Sequence, residues 1–319
     1  MQEFKPRAMR DALLESIFDA MKKDPSIFFV SADFGSPIID KIKSEKPDRF
    51  INVGIAEQNL INVSSGLALE GFKVFAYAIA PFITMRCFEQ IRVNLALLSK
   101  VRPINVNLIG VGAGYSYVVS GPTHQCYEDI TLMRAMPNMQ VLSISDEVMA
   151  KFTPEYCLSL VGPKYIRLDA QILPIINHDD TIDFNKGFVE RRKGLDALII
   201  STGYMTHTAI KIADLLKKEN INLGIIDLFN ISHFNHDNLN KIFSSYHKII
   251  SMEEGFSGRG GMDSMLFNHL SQYNLKLPLL NIGVTPEYRF EIGSRERLHE
   301  EVGIGIKVSL EKIQQFIKK

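Results

Sequence analysis

Cysteine is scarce in this chain of 319 residues: Cys87, Cys126 and Cys157 stand far apart and are odd in number. That set excludes a disulfide framework and a zinc site, and the expectation is three reduced, buried thiols in a cytoplasmic protein. The eight histidines are scattered without metal-ligand spacing. Net charge is missing as well. The 36 basic residues balance 36 acidic ones, which argues against a broad nucleic-acid surface and leaves room only for a local phosphate site. No uninterrupted apolar run is long enough to span a bilayer. The opening MQEFKPRAMRDALLESIFDAMKKD is charged throughout and lacks the apolar stretch of a signal peptide. There is no G-x-S-x-G elbow, no P-loop, and no G-x-G-x-x-G between a strand and a helix. The nearest match, Gly110-Val111-Gly112-Ala113-Gly114, runs into a Tyr/Ser/Val loop instead.

What is present is alternation. Short apolar runs at 27–33, 73–79, 103–112, 139–146 and 164–168 read as buried strands. Amphipathic patterns at 9–22, 56–71, 81–99, 127–135 and 146–160 read as the helices between them. The rhythm breaks at LPIINHDDTIDFNKGFVERRKG (173–194), which reads as an interdomain connection. It then resumes, with strands expected at 196–202, 222–228, 247–254 and 278–284 and helices at 204–219, 236–245, 260–272 and 303–318. The expected fold class is α/β in two domains, 1–180 and 190–319. Each is a mostly parallel sheet with helices on both faces.

Ligands of such sheets bind beyond the carboxyl ends of the strands. Asp33, Glu57 and the loop GAGYSYVVSGPTHQ (112–125) fall there. Glu57, in GIAEQN (54–59), has two readings. A carboxylate in the first turn of a helix offsets the macrodipole; the other reading aims it at a ligand. His124 follows the rigid turn Gly121-Pro122-Thr123 and leads into a helix, where it could transfer a proton or simply bond backbone groups. Arg167, near a strand end, suits an anion, and its default is a salt bridge to a neighbouring acid. Phe82 could stack on a planar ring, with core packing as the default. EEGFSGRGGMDS (253–264) is a glycine-rich turn that could bind an anion or make a tight connection.

Taken together, several segments resemble the transketolase family. They are SADFG, VGIAEQNLINVSSGLALEGFKVFAYAIAPFITMRCFEQIR, SGPTHQCYEDITLMRAMPNMQVLSISD, ISTGYMTHTAIKIADLLKKENI and SMEEGFSGRGGMDSML, in the family's order over nearly the whole chain. The match is to the C-terminal half, a pyrimidine-binding domain followed by a C-terminal domain. The resemblance implies thiamine diphosphate with Mg as cofactors. It implies that Glu57 hydrogen-bonds N1′ of the aminopyrimidine, so that N4′ can take the proton from C2 of the thiazolium. Phe82 matches the aromatic that stacks on that ring, with Arg86 and Phe88 nearby as further cofactor contacts. His124 matches a histidine near the donor sugar, Arg167 an arginine that holds the sugar phosphate, and Lys41 another phosphate-binding position. EEGFSGRGG matches a structural turn of the family, without a catalytic role.

Two departures point to altered donor recognition. Ser120 stands where the family has an aspartate that binds a donor hydroxyl, and Gly112 stands near the place of a further histidine. A third departure concerns assembly. No Gly-Asp-Gly followed by Asn, the family's diphosphate–metal signature, is found in the chain. The resemblance therefore implies a separate N-terminal-half partner chain, a homodimer core and a heterotetramer overall, with the isolated chain inactive. The competing expectations are the β-subunit of a 2-oxo acid dehydrogenase, disfavoured by GPTHQ and LRAMPNM, and a non-catalytic relative.

Overall fold

The computed structural model describes residues 6–177 and 182–318, so 178–181 of the expected connection lie outside the described residues. Two sheets carry the chain. The first holds β1 (Ile27–Ser31), β2 (Phe50–Asn52), β3 (Lys73–Ile79), β4 (Asn105–Val111), β5 (Gln140–Ser143) and β6 (Lys164–Leu168) in the order β2-β1-β3-β4-β6-β5, all parallel. The second holds β7 (Val189–Arg192), β8 (Ala197–Ser201), β9 (Leu223–Asp227), β10 (Ile249–Phe256) and β11 (Leu279–Val284) in the order β11-β10-β8-β9-β7. Among the described residues only β7 runs antiparallel in this sheet, against β9.

Both faces of the first sheet are buried, and the side-chain period of two is visible in β3. Val74, Ala76 and Ala78 enter one core, while Phe75 and Tyr77 enter the other. The second core is closed by helix Met9–Lys23, whose buried stripe includes Met9, Leu13, Ile17 and Met21 at four-residue spacing. The first core continues into the second domain through Phe188, Leu198 and Ile226, so the two sheets share apolar packing.

Three elements lie outside the expected pattern. Helix Pro37–Glu45 is short: Pro37 opens it, Ser36 Oγ accepts from Ile39 N at 3.3 Å, and Ile39 and Ile42 enter the second core. Helix Arg295–Glu301 is capped by Ser294 in the same way. The connection reading of 173–194 needs correction at its end, because Val189–Arg192 is the edge strand β7. Its four residues, VERR, are too polar and too few to show a strand pattern. The segment expected as one helix at 81–99 is helical but uneven, with wide π-type turns at Phe82–Arg86 and Ile91–Leu97 and a 3₁₀ end at Leu98–Lys100.

Candidate functional site

Loops from the carboxyl ends of β1 to β4 meet at one edge of the first sheet. Asn52, at the end of β2, clips two of them together. Its side-chain oxygen accepts from Asp33 N at 3.1 Å and Gly54 N at 3.0 Å, and its amide donates to Asp33 Oδ1 at 3.0 Å. Gly54 sits at φ 72, a left-handed conformation that glycine adopts without a Cβ penalty. This turn delivers Glu57 as the first residue of helix Glu57–Leu69.

The residue before it, Ala56, gives no side-chain cap. Glu57 does not cap the helix either. Among the described residues its carboxylate accepts one hydrogen bond, from Arg86 Nη1 at 3.0 Å, and Glu57 is only 5% exposed. A buried carboxylate with a single partner keeps lone pairs for a ligand. Burial, and next the charge of Glu57, push the neighbouring Cys87 thiol up to about 12, so that thiol is inert.

Phe82 and Arg86 are four residues apart on a π-type turn and share a face; such turns recur at functional sites. The Arg86 guanidinium lies 3.8 Å above the centre of the Phe82 ring. His124 meets that ring edge-on at 5.3 Å, and Tyr117 meets His124 edge-on at 6.3 Å. Thr123 Oγ1 is 3.0 Å from His124 Nδ1 and orients the imidazole. Glu57, Arg86, Phe82, His124 and Tyr117 therefore form one continuous row.

His124 is not at a helix start. It lies in an irregular loop pinned by the bridge between Gly114 and Cys126, and the next helix begins only at Asp129. Gly112 shows why a side chain is absent there. It has φ 101, and a Cβ would overlap the Tyr117 ring. That ring fills the volume outside Gly112. Ser120 is exposed on the same loop, where its N–H donates to Tyr117 O at 3.3 Å.

Three expected site residues stand elsewhere. Arg167 is 2% exposed, with Nε donating to Asp129 Oδ2 at 2.8 Å and Nη2 to Glu254 O at 3.1 Å. Burial opposes its charge, but Asp129 and Glu254 outweigh it and hold the guanidinium above its usual range. These two hydrogen bonds hold the guanidinium between Asp129 and the backbone of the second domain. Lys41 lies on helix Pro37–Glu45 with its ammonium 5.0 Å over the Phe18 ring. Phe88 packs against the apolar core.

The residues that sequence reasoning missed belong to the second domain. Glu254, on β10, accepts from Tyr115 N at 3.2 Å and so ties the His124 loop to that domain. A Cβ on Gly114 would run into the Glu254 carboxylate, so glycine is required for this approach. Arg295 bonds Glu254 and reaches Asp169 at 2.7 Å, after β6. Glu253 turns the other way. Its two oxygens accept from Met262 N at 2.9 Å and Asp263 N at 2.8 Å, capping helix Met262–Gln272. The glycine-rich turn is thus a structural cap, closed by Arg134 donating to the carbonyls of Gly260 and Gly261.

The chain matches two family models, "Transketolase, pyrimidine binding domain" over residues 5–174 and "Transketolase, C-terminal domain" over residues 186–307. It is 29% identical to one subunit of the apulose-4-phosphate transketolase of Actinobacillus succinogenes, covering 93% of this chain and 94% of that one. It is 27% identical to a 6-deoxy-6-sulfo-D-fructose transketolase subunit of a Clostridium species, covering 94% and 91%. A solved structure titled "Split gene transketolase, inactive beta4 tetramer" superposes with a TM-score of 0.85 at 27% identity, covering 98% of this chain and 99% of that one.

Proposed function

Because the chain belongs to the transketolase family, through a pyrimidine-binding and a C-terminal domain, we propose that it is one subunit of a two-chain, thiamine-diphosphate-dependent transferase. In this reading it moves a two-carbon ketol unit between sugars or sugar phosphates. The observation that carries the reading is the buried Glu57 carboxylate beside the Phe82 ring, with His124 at the ring's edge. An aminopyrimidine needs an acid at a ring nitrogen and an aromatic face to lie on, and these residues fit both needs.

When bound, the thiamine group supplies the electron sink for breaking and making a carbon–carbon bond next to a carbonyl. The chain's own residues supply the rest. Glu57 holds a hydrogen bond at N1′ of the pyrimidine, and its burial strengthens that bond. Phe82 gives the ring a face to stack on. His124, braced by Thr123, donates to or accepts from an oxygen of the sugar. Tyr117 walls the cleft on the far side of His124. Ser120 and Gly112 leave that wall with fewer charged groups than the family pattern, so the preferred donor differs from an ordinary ketose phosphate.

The diphosphate and its Mg fall to a partner chain, since the Gly-Asp-Gly signature is not in this sequence. The words "subunit" and "split gene" in the relatives' names support that division, and a heterotetramer around a dimer of this chain is the assembly we propose. The test is reconstitution. The pure chain should transfer no ketol unit, and the chain co-purified with an N-terminal-half partner should do so with thiamine diphosphate and magnesium. Full activity from the chain alone would refute the division of labour.

A further inference from the structure

Arg86 makes the two contacts that an aminopyrimidine would need. Its Nη1 donates to Glu57 Oε1 at 3.0 Å, and its guanidinium lies over Phe82 at 3.8 Å. A guanidinium is planar, rich in N–H donors and weakly hydrated, so it stacks and pairs much as a protonated heterocycle does. We propose that Arg86 is a built-in stand-in for the aminopyrimidine, which occupies the pyrimidine site until the ring displaces it. This deepens the reading above and rests on it.

The burial pattern shows how the exchange can work. The Glu57 side chain is 6% exposed, whereas that of Arg86 is 47% exposed. Glu57 therefore stays in place, and Arg86 is the mobile half of the pair. Among the described residues the guanidinium has no hydrogen-bond partner other than Glu57. It can swing into water by giving up one half-exposed ion pair and one stacking contact. Only its backbone is tied, by Gln58 Nε2 donating to Arg86 O at 3.3 Å, so the side chain leaves without moving the turn. While Arg86 is in place, the buried carboxylate is never left without a partner, which would be costly.

The consequence is self-competition. A ligand that binds only the open state has its apparent affinity reduced by the fraction of time the site is open. Contacts that draw Arg86 outward, such as an acidic group on the partner chain, would couple assembly to cofactor capture.

The experiment uses the full chain and thiamine, which carries the aminopyrimidine without the diphosphate that the partner holds. Affinity is measured by titration followed by NMR, with circular dichroism as the check on folding. Arg86→Ala should bind thiamine about tenfold more tightly than wild type, the gain expected if Arg86 fills the site nine-tenths of the time. Arg86→Met keeps the stem packing and should show the same gain if the alanine variant folds poorly. Adding Glu57→Ala should abolish the gain. Equal or weaker affinity in both Arg86 variants, or no binding at all, overturns the proposal and makes Arg86 a cofactor contact or a structural pair. The broader reading stands apart from this. Ketol transfer by the assembled pair with no gain from Arg86→Ala removes only the stand-in. Tighter thiamine binding in a chain whose pair transfers nothing removes the transferase assignment instead.

Discussion

Glu254 accepts both arms of Arg295, at 3.1 and 2.7 Å, and a third hydrogen bond from His299 Nε2 at 2.7 Å. All three residues are buried. Burial alone would raise the Glu254 pKa, but Arg295 and His299 outweigh it and hold the carboxylate well below its usual range. Removing one partner of a buried pair leaves the other uncompensated, at a cost of about 3–5 kcal/mol. Arg295→Ala should therefore lower the urea-unfolding free energy by roughly that amount. A change within error would show that the network does not hold the domains together.

Gly112 and Tyr117 make a second prediction. Gly112→Ala meets two penalties, a positive φ and a Cβ that overlaps the ring. Strained backbone costs about 1–3 kcal/mol and overpacking a similar amount. Tyr117→Ala in the same chain should recover the steric part and leave the backbone part. A double-mutant cycle of unfolding free energies reads the difference.

Stability should also depend on pH through the His236–His269 pair, whose Nδ1 atoms face each other at 3.2 Å. Burial first, and then the charge of His236, lower the His269 pKa from 6.5 to about 4. The unfolded chain binds the proton that the folded chain refuses, so stability rises as pH increases from about 4 to 6.5. Urea unfolding across that window should show the rise, and His269→Asn should flatten it.

Lys41 and Arg167 separate activity from stability. Lys41→Ala should leave the donor KM unchanged in the assembled enzyme, because its ammonium packs on Phe18. Arg167→Ala should lower the melting temperature, because it leaves the fully buried Asp129 without its charged partner and with only the Tyr165 hydroxyl donating to it at 2.8 Å. A raised KM for Lys41→Ala would support the phosphate role that the sequence suggested.

Most of the strands were legible because short apolar runs mark strands buried on both faces. The 73–79 run and β3 coincide residue for residue. The misses have local causes. VERR is too short and polar to reveal β7, and helix Pro37–Glu45, 9 residues long, buries only Ile39 and Ile42, too few positions to show a period. At the site, Glu57, Phe82, Arg86 and His124 come together as motif order implied. Arg167 does not, because its fate is set by Asp129, 38 residues away in sequence, and by the backbone of Glu254 in the other domain. Long-range partners of this kind leave no trace in spacing. Tyr117 was visible only as part of an unusual loop, and it took the geometry at Gly112 to give it a purpose.

If the buried carboxylate of Glu57 acts on the cofactor ring and not on the fold, Glu57→Gln separates the two, because it keeps the side-chain volume and removes the acid. The measurement is the initial rate of ketol transfer by the variant assembled with its partner at saturating thiamine diphosphate and magnesium, with the melting temperature recorded beside it. The expected result is a fall in kcat on the order of 10² or more, the scale of a lost acid–base group, in a folded, cofactor-binding subunit. A variant that turns over at the wild-type rate would contradict the role of Glu57 in catalysis.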